Sequence, residues 1–392
     1  MGQQRPPKPS HRTASKNLQR FLLAIVLTAI ALLQSNSRTQ ATAQSPTNQS
    51  STDFYNEAHT DVHIGVLTLF HPRQLTISAP AGQALVLQAA NQQAILEQSS
   101  GPNTATIRLS ENSILIEAAT QTLRATTLTV TGRKDDPADF LLSVPGKISR
   151  HYHGTLEISP EAGSLLAIVT MDRETAVASV VAAESTADAP LELLKAQAIA
   201  VRSYLVASRA RHHDFDFCDT THCQFLREPP APQSRAAQAA AATRNLVLAY
   251  NAEPFAAMYT RSCSGHTHTP AELGLPVSTY PYFSVECNYC RMHAARWKSR
   301  ISTQEAAALR SSDESSRLNV VRRLGWNVVP SNDFIRKEEK ETHQVILEGT
   351  GQGHGIGLCQ SGAKAMAEAG ANFRQILGHY YPNTTVVKRT RA

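Results

Sequence analysis

The chain has 392 residues, 42% of them apolar, and its 38 lysine and arginine residues against 32 aspartate and glutamate residues give a formal net charge of +6. Residues 1–43 contain six of the basic residues and no acidic residue, so removal of that segment brings the formal charge to zero. The composition is that of a globular protein with room for two or three packed units, and it gives no support to a nucleic-acid-binding function.

A targeting signal is predicted at the N-terminus. Residues 1–20 are basic without an acid, Phe21–Leu33 is apolar apart from Thr28, and Ala41-Thr42-Ala43 offers a small-x-small cleavage site. Because the apolar run is too short for a comfortable membrane span, residues 1–43 are predicted to be a secretory signal peptide. The protein is then exported to the periplasm or cell envelope, and the alternative is an uncleaved signal that tethers it to the membrane.

A flexible linker and a β-rich unit are predicted to follow. Residues 44–60 are polar and small, as in a linker. Residues 61–158 carry short alternating apolar runs bounded by turn-forming residues, which predicts a β-rich N-terminal unit of antiparallel strands. The predicted strands are Val62–Leu69, Ala84–Gln88, Ser113–Ala118, Leu128–Thr131 and Arg150–Ile158.

Helices are predicted within the next region, residues 159–388, so the expected fold class is α+β. The first helix is the apolar run Ala176–Ala183, which ends at Glu184. The second has Asp188 ahead of it and Pro190 in its first turn. Its buried face is formed by residues at helical spacing, Leu191, Leu194, Ala198, Val201 and Leu205.

Glu184 is the candidate catalytic residue, because it closes an almost wholly apolar stretch. A carboxyl at the mouth of an apolar surface is poorly hydrated when charged, which raises its pKa. Such a carboxyl is suited to act as a general acid near neutral pH. The alternative is a helix-terminal glutamate that faces water.

A scaffold is predicted between this region and the C-terminal motifs. Ser234–Arg244 is an alanine-rich helix, and Asn245 is a plausible left-handed cap. Leu246–Tyr250 and Phe255–Tyr259 are predicted to pair as a hairpin. This hairpin would deliver the segment Ser262–His266.

Residues 351–363 form a glycine-rich loop with the sequence GQGHGIGLCQSGA. Glycine at every second position removes side chains from the backbone, which predicts a surface that a bulky ligand can approach closely. His354 and Gln360 would be its polar groups. A dinucleotide or phosphate loop is the alternative, but no βαβ pattern surrounds the segment and no Walker lysine follows it.

Two sets of cysteine and histidine residues have the spacing of zinc ligands. The first joins His212 or His213 with Cys218, His222 and Cys223, and the second joins Cys263-x-x-His266 with Cys287-x-x-Cys290. Thiolate-rich sets favour structural over catalytic zinc. Disulfides are the alternative in an exported protein with an even number of cysteines, and Cys359 has no evident partner.

Six separated motifs resemble the SpoIID/LytB domain family, in the family's order over roughly residues 148–385. They are VVAAE at 180–184, PLELLKAQAIAVRSY at 190–204, CDTTHCQ at 218–224, Tyr259 with SCSGHT at 262–267, GHGIGLCQSGA at 353–363, and HYYPNT at 379–384.

The resemblance implies a lytic transglycosylase that cuts peptidoglycan glycan strands stripped of stem peptides, with Glu184 as its acid/base. Other members are described as enhancers of cell-wall amidases, and relatives are similar in binding zinc near residues 212–223. The motifs imply five residues for sugar binding or transition-state stabilisation, Tyr259, Ser262, His266, His354 and Gln360. Any of them could instead be a packed core residue, and for Tyr259 that interpretation is preferred.

The implied activity explains why no carboxylate pair is found. Ordinary glycoside hydrolysis needs two carboxylates at a defined separation, whereas a lytic transglycosylase needs one. Near Glu184 the sequence offers only Asp188 and Glu192, neither in an obvious paired position. The competing hypothesis is a non-catalytic glycan-binding enhancer of a cell-wall amidase. Catalysis predicts that Glu184 faces His354 and Gln360 across a cleft.

Overall fold

The computed structural model describes residues 61–97, 103–118, 121–208, 211–273, 280–309, 323–325, 327–339 and 343–389. The predicted signal peptide and linker, residues 1–43 and 44–60, lie outside these ranges. Within them, no helix is long and apolar enough to span a bilayer.

Strands dominate the first part of the described chain. They are β1 (Asp61–Val66), β2 (Gln74–Ser78), β3 (Ala84–Ala89), β4 (Gln92–Glu97), β5 (Thr104–Ser110), β6 (Ser113–Ala118), β7 (Gln121–Ala125), β8 (Leu128–Thr131), β9 (Ala138–Val144), β10 (Ile148–Glu161) and β11 (Ser164–Asp172). Predicted strands coincide with β6 and β8 and lie within β3 and β10. The first strand ends earlier than predicted, because Leu67 adopts a left-handed φ of 57° and a 3-10 turn follows.

Helices and shorter strands alternate after β11. The helices are α1 (Arg173–Glu184), α2 (Leu191–Ala207), α3 (Arg235–Ala242), α4 (Asn288–His293), α5 (Thr303–Ala308), α6 (Gln360–Glu368) and α7 (Phe373–Tyr380). The strands are β12 (Phe217–Cys218), β13 (Leu246–Tyr250), β14 (Glu253–Pro254), β15 (Tyr259–Thr260), β16 (Arg296–Ser302), β17 (Phe334–Glu339), β18 (Gln344–Thr350), β19 (Leu358–Cys359) and β20 (Thr385–Lys388). The predicted α+β class is confirmed.

Strand β10 organises the large sheet. Its first half pairs with β9 and its second half with β8 and β11, all antiparallel. Strand β1 extends the sheet beyond β11, and β12 adds to β1 in parallel. Because β10 crosses the expected boundary between residues 158 and 159, the β-rich unit and the following region share this sheet and one hydrophobic core.

Helix α1 begins directly at the end of β11. The Asp172 side chain caps it by accepting hydrogen bonds from the main-chain N–H groups of Glu174 (2.9 Å) and Thr175 (3.2 Å). Such a cap satisfies donors that the first helical turn leaves unpaired, and it stabilises a helix by about 1 kcal/mol. The helix ends at Glu184, so the strand and the cap together set the position of that residue.

A buried ion pair ties α1 to its neighbours. Arg202 of α2 is 1% exposed and donates to both carboxylate oxygens of Glu174, at 2.8 and 2.7 Å. It also donates to the main-chain oxygens of Leu246 (3.0 Å) and Ala240 (3.2 Å). One guanidinium therefore holds α1, α2, α3 and β13 together.

The predicted hairpin after α3 is wrong in its second strand. Asn245 has the φ of 65° expected of a left-handed cap. Strand β13 then pairs with the two residues of β14 and, on its other edge, with β20. The chain leaves the sheet at Phe255, whose ring stacks on Tyr280 with centroids 4.2 Å apart. Burial of this aromatic residue takes the place of the expected strand.

A smaller sheet of β16, β18 and β17 has a core of its own. Helix α5 packs on it, and the buried residues of this core are Ile301, Ala306, Leu309, Val329, Val345 and Leu347. Strand β18 then leads into the glycine-rich loop, so this sheet positions the start of that loop.

Candidate active site at the end of helix α1

Glu184 occupies a half-buried position at the C-terminus of α1. The helix stops there because the next residue, Ser185, is extended, with φ −125° and ψ 158°. The Ser185 hydroxyl donates to Oε1 of Gln197, a fully buried residue of α2, at 3.0 Å. The end of α1 is therefore fixed against α2.

Burial raises the pKa of Glu184 from its ordinary value of 4.5 to about 7. A hydrogen bond from Gln360 and the charges of Arg261 and Arg227 act in the opposite direction, but desolvation is the larger effect. A carboxyl with a pKa near 7 populates both protonation states at neutral pH. A group that donates and later accepts a proton needs this property.

Gln360, the first residue of α6, lies beside Glu184. Its Nε2 is 3.4 Å from the main-chain oxygen of Glu184, and its side chain also hydrogen bonds to the carboxyl. The side chain is buried, and its Oε1 has no hydrogen-bond partner within the described part of the chain. A buried acceptor without a donor is costly, so Oε1 is suited to accept a hydrogen bond from a sugar hydroxyl.

Two arginines place positive charge around the carboxyl. Nη1 of Arg261 donates to the main-chain oxygen of Glu184 at 3.0 Å. Arg227 stacks over the Phe225 ring, with 3.6 Å between the guanidinium carbon and the ring centroid, and its charge also acts on Glu184. These charges favour the carboxylate form of Glu184 after it has released its proton.

Tyr259 is a packed residue of this site. Its hydroxyl donates to the buried Oε1 of Gln224 at 2.9 Å. Burial raises the pKa of Tyr259 well above its ordinary value, and the charge of Glu184 adds to that effect. The phenol therefore stays protonated and serves as an internal donor, which agrees with the packed alternative.

His354 faces the interior of the protein. Its Nδ1 accepts the main-chain N–H of Ile356 at 3.0 Å, and the ring makes a further hydrogen bond to the main chain of Tyr259. Burial lowers the pKa of His354 to about 4, so the imidazole is neutral at physiological pH. These contacts support a role in holding the glycine-rich loop in place of the expected contact with a sugar.

The alternating glycines allow other segments of the same chain to pack closely against the loop. At Gly357, where φ is 72°, an added Cβ would lie 2.0 Å from the main-chain oxygen of Met258. At Gly355 it would lie 2.6 Å from the His268 ring. The expectation that these glycines open the main chain to a ligand is wrong at both positions. The loop packs on residues 258–268 and delivers the residues that follow it.

Ser262 and His266 make other contacts. Ser262 exchanges main-chain hydrogen bonds with Gln352 (3.0 and 2.8 Å), and its Oγ lies 3.4 Å from Cys290 Sγ. The His266 ring meets the His268 ring edge-on, with centroids 4.9 Å apart. Of the five expected substrate-binding residues, Gln360 is the one whose described contacts include Glu184 directly.

The other carboxylates near α1 have separate roles. Asp188 is exposed to solvent. Glu192 accepts a hydrogen bond from Lys195 Nζ (2.7 Å) and another from the main-chain N–H of Phe373 (2.8 Å). Glu192 therefore links α2 to the start of α7, and of these three carboxyls Glu184 is the one whose pKa burial raises to about 7.

The first cysteine and histidine set converges. Ligand atoms of His212, Cys218, His222 and Cys223 all lie within 4.8 Å of one another. His212 Nε2 is 3.2 Å from Cys223 Sγ, and His222 Nδ1 is 3.7 Å from Cys218 Sγ. The neighbouring His213 has a side chain that is 95% exposed. Two imidazoles and two thiols at these separations fit tetrahedral zinc, with His212 as the nearer of the two histidines considered.

The second set converges with one change of ligand. Cys263, Cys287 and Cys290 meet Cys359, and their sulphur atoms all lie within 4.8 Å of one another. The expected fourth group was His266. Cys359 takes that position because β19 pairs in parallel with β15, which sets Cys359 opposite Thr260 and brings it next to Cys263.

The fold and the site together define an α+β protein with a desolvated carboxyl at Glu184 and two cysteine-rich clusters. Residues 161–250 match the SpoIID family model, described as stage II sporulation protein. An uncharacterized protein of Brachyspira hyodysenteriae is 27% identical over 274 residues, which are 61% of this chain and 73% of that protein. The amidase enhancer of Bacillus subtilis is 52% identical over 48 residues, 12% of this chain and 7% of the enhancer. The resemblance to the SpoIID/LytB family is confirmed.

Several residues of the site were not singled out from the sequence. They are Gln197, Gln224, Arg227 and Arg261, and Cys359 was noted only as a cysteine without an evident partner. Gln197 carried a usable signal, since it is a polar residue within the mostly apolar buried surface of α2. The arginines carried none, because their approach to Glu184 depends on tertiary folding.

Proposed function

We propose that the protein acts on peptidoglycan as an exported lytic transglycosylase, with Glu184 as its single acid/base. The observation that carries the proposal is the desolvated Glu184 carboxyl, with a pKa of about 7, beside the buried side chain of Gln360. Similarity to the SpoIID family and to an amidase enhancer supports a cell-wall function. Export follows from the signal peptide predicted at residues 1–43.

The proposed reaction cleaves the bond between N-acetylmuramic acid and N-acetylglucosamine. Protonated Glu184 donates its proton to the glycosidic oxygen as the bond from that oxygen to C1 breaks. The resulting carboxylate takes the proton of the 6-hydroxyl group on the same muramic acid residue, whose oxygen attacks C1. A 1,6-anhydro ring forms, Glu184 regains its proton, and no water is consumed.

The neighbouring groups support both halves of this cycle. Desolvation leaves a large fraction of the carboxyl protonated at neutral pH, ready for the first transfer, and Arg261 and Arg227 stabilise the carboxylate that this transfer forms. The free Oε1 of Gln360 would accept a hydrogen bond from the sugar next to the reacting bond. A second carboxylate is not required, which agrees with the structural role of Glu192.

The set of His212, Cys218, His222 and Cys223 is proposed to hold a structural zinc ion. Four protein ligands fill a tetrahedral site, so no position stays open for the water that a zinc amidase activates. The residue after Cys223 is Gln224, which holds the Tyr259 hydroxyl. The site would therefore fix the loop that supports Tyr259.

A non-catalytic module that binds glycan and enhances a cell-wall amidase is the second candidate. The similarity to the Bacillus subtilis amidase enhancer favours it. In that function the carboxyl of Glu184 would be at most a ligand contact, and its replacement by glutamine would preserve both binding and stimulation.

Incubation of denuded glycan strands with the wild-type protein, Glu184→Gln and Asp188→Asn separates the two functions. Transglycosylase activity predicts that mass spectrometry detects 1,6-anhydro products with the wild type but none with Glu184→Gln. Asp188→Asn changes an exposed carboxyl four residues away and should give the same products as the wild type. If all three proteins bind the strands and stimulate an amidase without cutting them, the enhancer function replaces the enzyme.

A further inference from the structure

Four cysteines from separate segments meet in the interior. Cys263, Cys287, Cys290 and Cys359 are each at most 2% exposed. Each has a free thiol, and the sulphur atoms lie within 4.8 Å of one another, with 3.5 Å between those of Cys290 and Cys359. A tetrahedral zinc ion with Zn–S bonds of about 2.3 Å would place its ligands about 3.8 Å apart. The cluster therefore matches one metal ion in size.

The surroundings of the cluster supply donors to sulphur. The main-chain N–H groups of Cys263 and Gly362 point at Cys359 Sγ, at 3.3 and 3.4 Å. The Tyr380 hydroxyl lies 3.5 Å from Cys287 Sγ. Donors of this kind stabilise thiolates, and four buried thiolates would repel one another without a cation. This environment favours metal-bound sulphur.

Gly362 adds a steric requirement to the same site. An added Cβ at this position would lie 2.4 Å from Cys287 Sγ and 2.1 Å from the Tyr380 hydroxyl. The backbone of α6 thus approaches the sulphur cluster more closely than any side chain allows. The helix and the cluster fit together as one unit.

We propose that these four cysteines bind one structural zinc ion, and that this ion holds the glycine-rich loop against the end of α1. Two ligands are close in sequence to residues that contact Glu184: Cys359 precedes Gln360, and Cys263 follows Arg261 by two residues. The contacts involved are 3.4 Å from Gln360 Nε2 and 3.0 Å from Arg261 Nη1, both to the main-chain oxygen of Glu184. The zinc ion is thus a positioning device for the site. Only the value of that positioning for catalysis rests on the proposed function.

Metal counting tests the site without reference to activity. The proposal predicts that Cys287→Ser/Cys290→Ser loses one zinc per chain relative to the wild type. The matched control, Cys218→Ser/Cys223→Ser, removes the other set and keeps zinc at the buried cluster. When that control protein is loaded with cobalt, it should show the visible bands of a tetrahedral thiolate complex. Iron in place of zinc, or no metal in that control, would overturn the assignment.

A second measurement needs no variant and so remains informative if the serine variants fail to fold. Wild-type protein is denatured with chelator under non-reducing conditions and alkylated, and the modified cysteines are counted by mass spectrometry. If the cysteines bind zinc as free thiols, all six should be alkylated. A disulfide between any two of the four cluster cysteines would refute the proposal.

Hydrogen exchange tests the positioning. Removal of metal should accelerate exchange in peptides that contain Cys263 and Gly362, whose N–H groups face Cys359, and should leave the β6 strand unchanged. Equal exchange before and after metal loss would show that the ion does not hold the loop. Failure of glycan cleavage would count against the proposed function alone, because neither metal content nor exchange depends on it.

Discussion

Replacing Glu184 by glutamine is expected to stabilise the protein at about pH 8 and to leave its stability nearly unchanged at about pH 4. The folded protein holds the Glu184 proton up to a pKa of about 7, whereas the ordinary value of 4.5 applies to the unfolded chain. Between these values the folded state binds more protons, so stability falls as pH rises through the interval. Above it the full penalty of a buried charge is present, and glutamine removes that penalty.

The size of this effect follows from the two pKa values. The difference between 4.5 and about 7 corresponds to about 3 kcal/mol, at 1.36 kcal/mol for each pKa unit. Glu184 is half-buried, and solvent screening lowers the expected gain to about 2 kcal/mol. A gain of this size is readily measured as a shift in the urea midpoint.

Urea unfolding of the wild type, Glu184→Gln and Asp188→Asn at both pH values checks the prediction. The Thr186 hydroxyl donates to Asp188 and holds the pKa of that exposed carboxyl below its usual value, so Asp188→Asn should give no stabilisation at about pH 8. Loss of metal in acid affects all three proteins alike and cancels in the comparison. An equal effect of Glu184→Gln at both pH values would refute the claim that burial raises the pKa of Glu184.

Three further predictions concern the support of the site. Arg261→Gln removes a charge that lowers the pKa of Glu184, so the alkaline limb of the pH profile of glycan cleavage should move to higher pH; a downward move would contradict the account. Gly357→Ala should lower the free energy of unfolding by about 1–3 kcal/mol, measured from the urea midpoint, because its Cβ would meet the Met258 carbonyl. An unchanged free energy of unfolding would show that the loop can shift. Arg202→Met leaves the carboxylate of Glu174 without its arginine partner and should destabilise the protein by about 3–5 kcal/mol in the same assay. A loss below about 1 kcal/mol would show that the ion pair is dispensable.

Local patterns in the sequence identified the elements that depend on local physics. The alternation in Ser113–Ala118 became β6, and the apolar run before Glu184 became α1. The left-handed conformation at Asn245 was also recognised in advance, because asparagine tolerates positive φ. In each case, neighbouring residues carry the determining signal.

Features that depend on long-range packing were not accessible in this way. The hairpin prediction at Phe255–Tyr259 failed because burial of Phe255 against Tyr280 outweighs β propensity. Cys359 joined the sulphur cluster only through the parallel pairing of β15 and β19, residues far apart in the chain. Spacing rules assume that ligands are close in sequence, and they therefore selected His266.

The role of the glycine-rich loop shows the same limit. Its sequence identified an unusual backbone, and the structure shows that the backbone serves an internal approach to residues 258–268. The group proposed to contact the ligand is Gln360, immediately after the loop, because its side chain is buried with one acceptor unpaired among the described residues. Sequence alone could not separate close packing within the protein from close approach of a ligand.

The most direct test of the central claim is cleavage of denuded glycan strands in ¹⁸O-labelled water, followed by mass spectrometry, with the wild-type protein and Glu184→Gln. The account predicts wild-type products that are lighter than hydrolytic fragments by one water, without ¹⁸O, and no products from Glu184→Gln. Products that carry ¹⁸O, or equal cleavage by Glu184→Gln, would contradict a single acid/base that forms the anhydro ring.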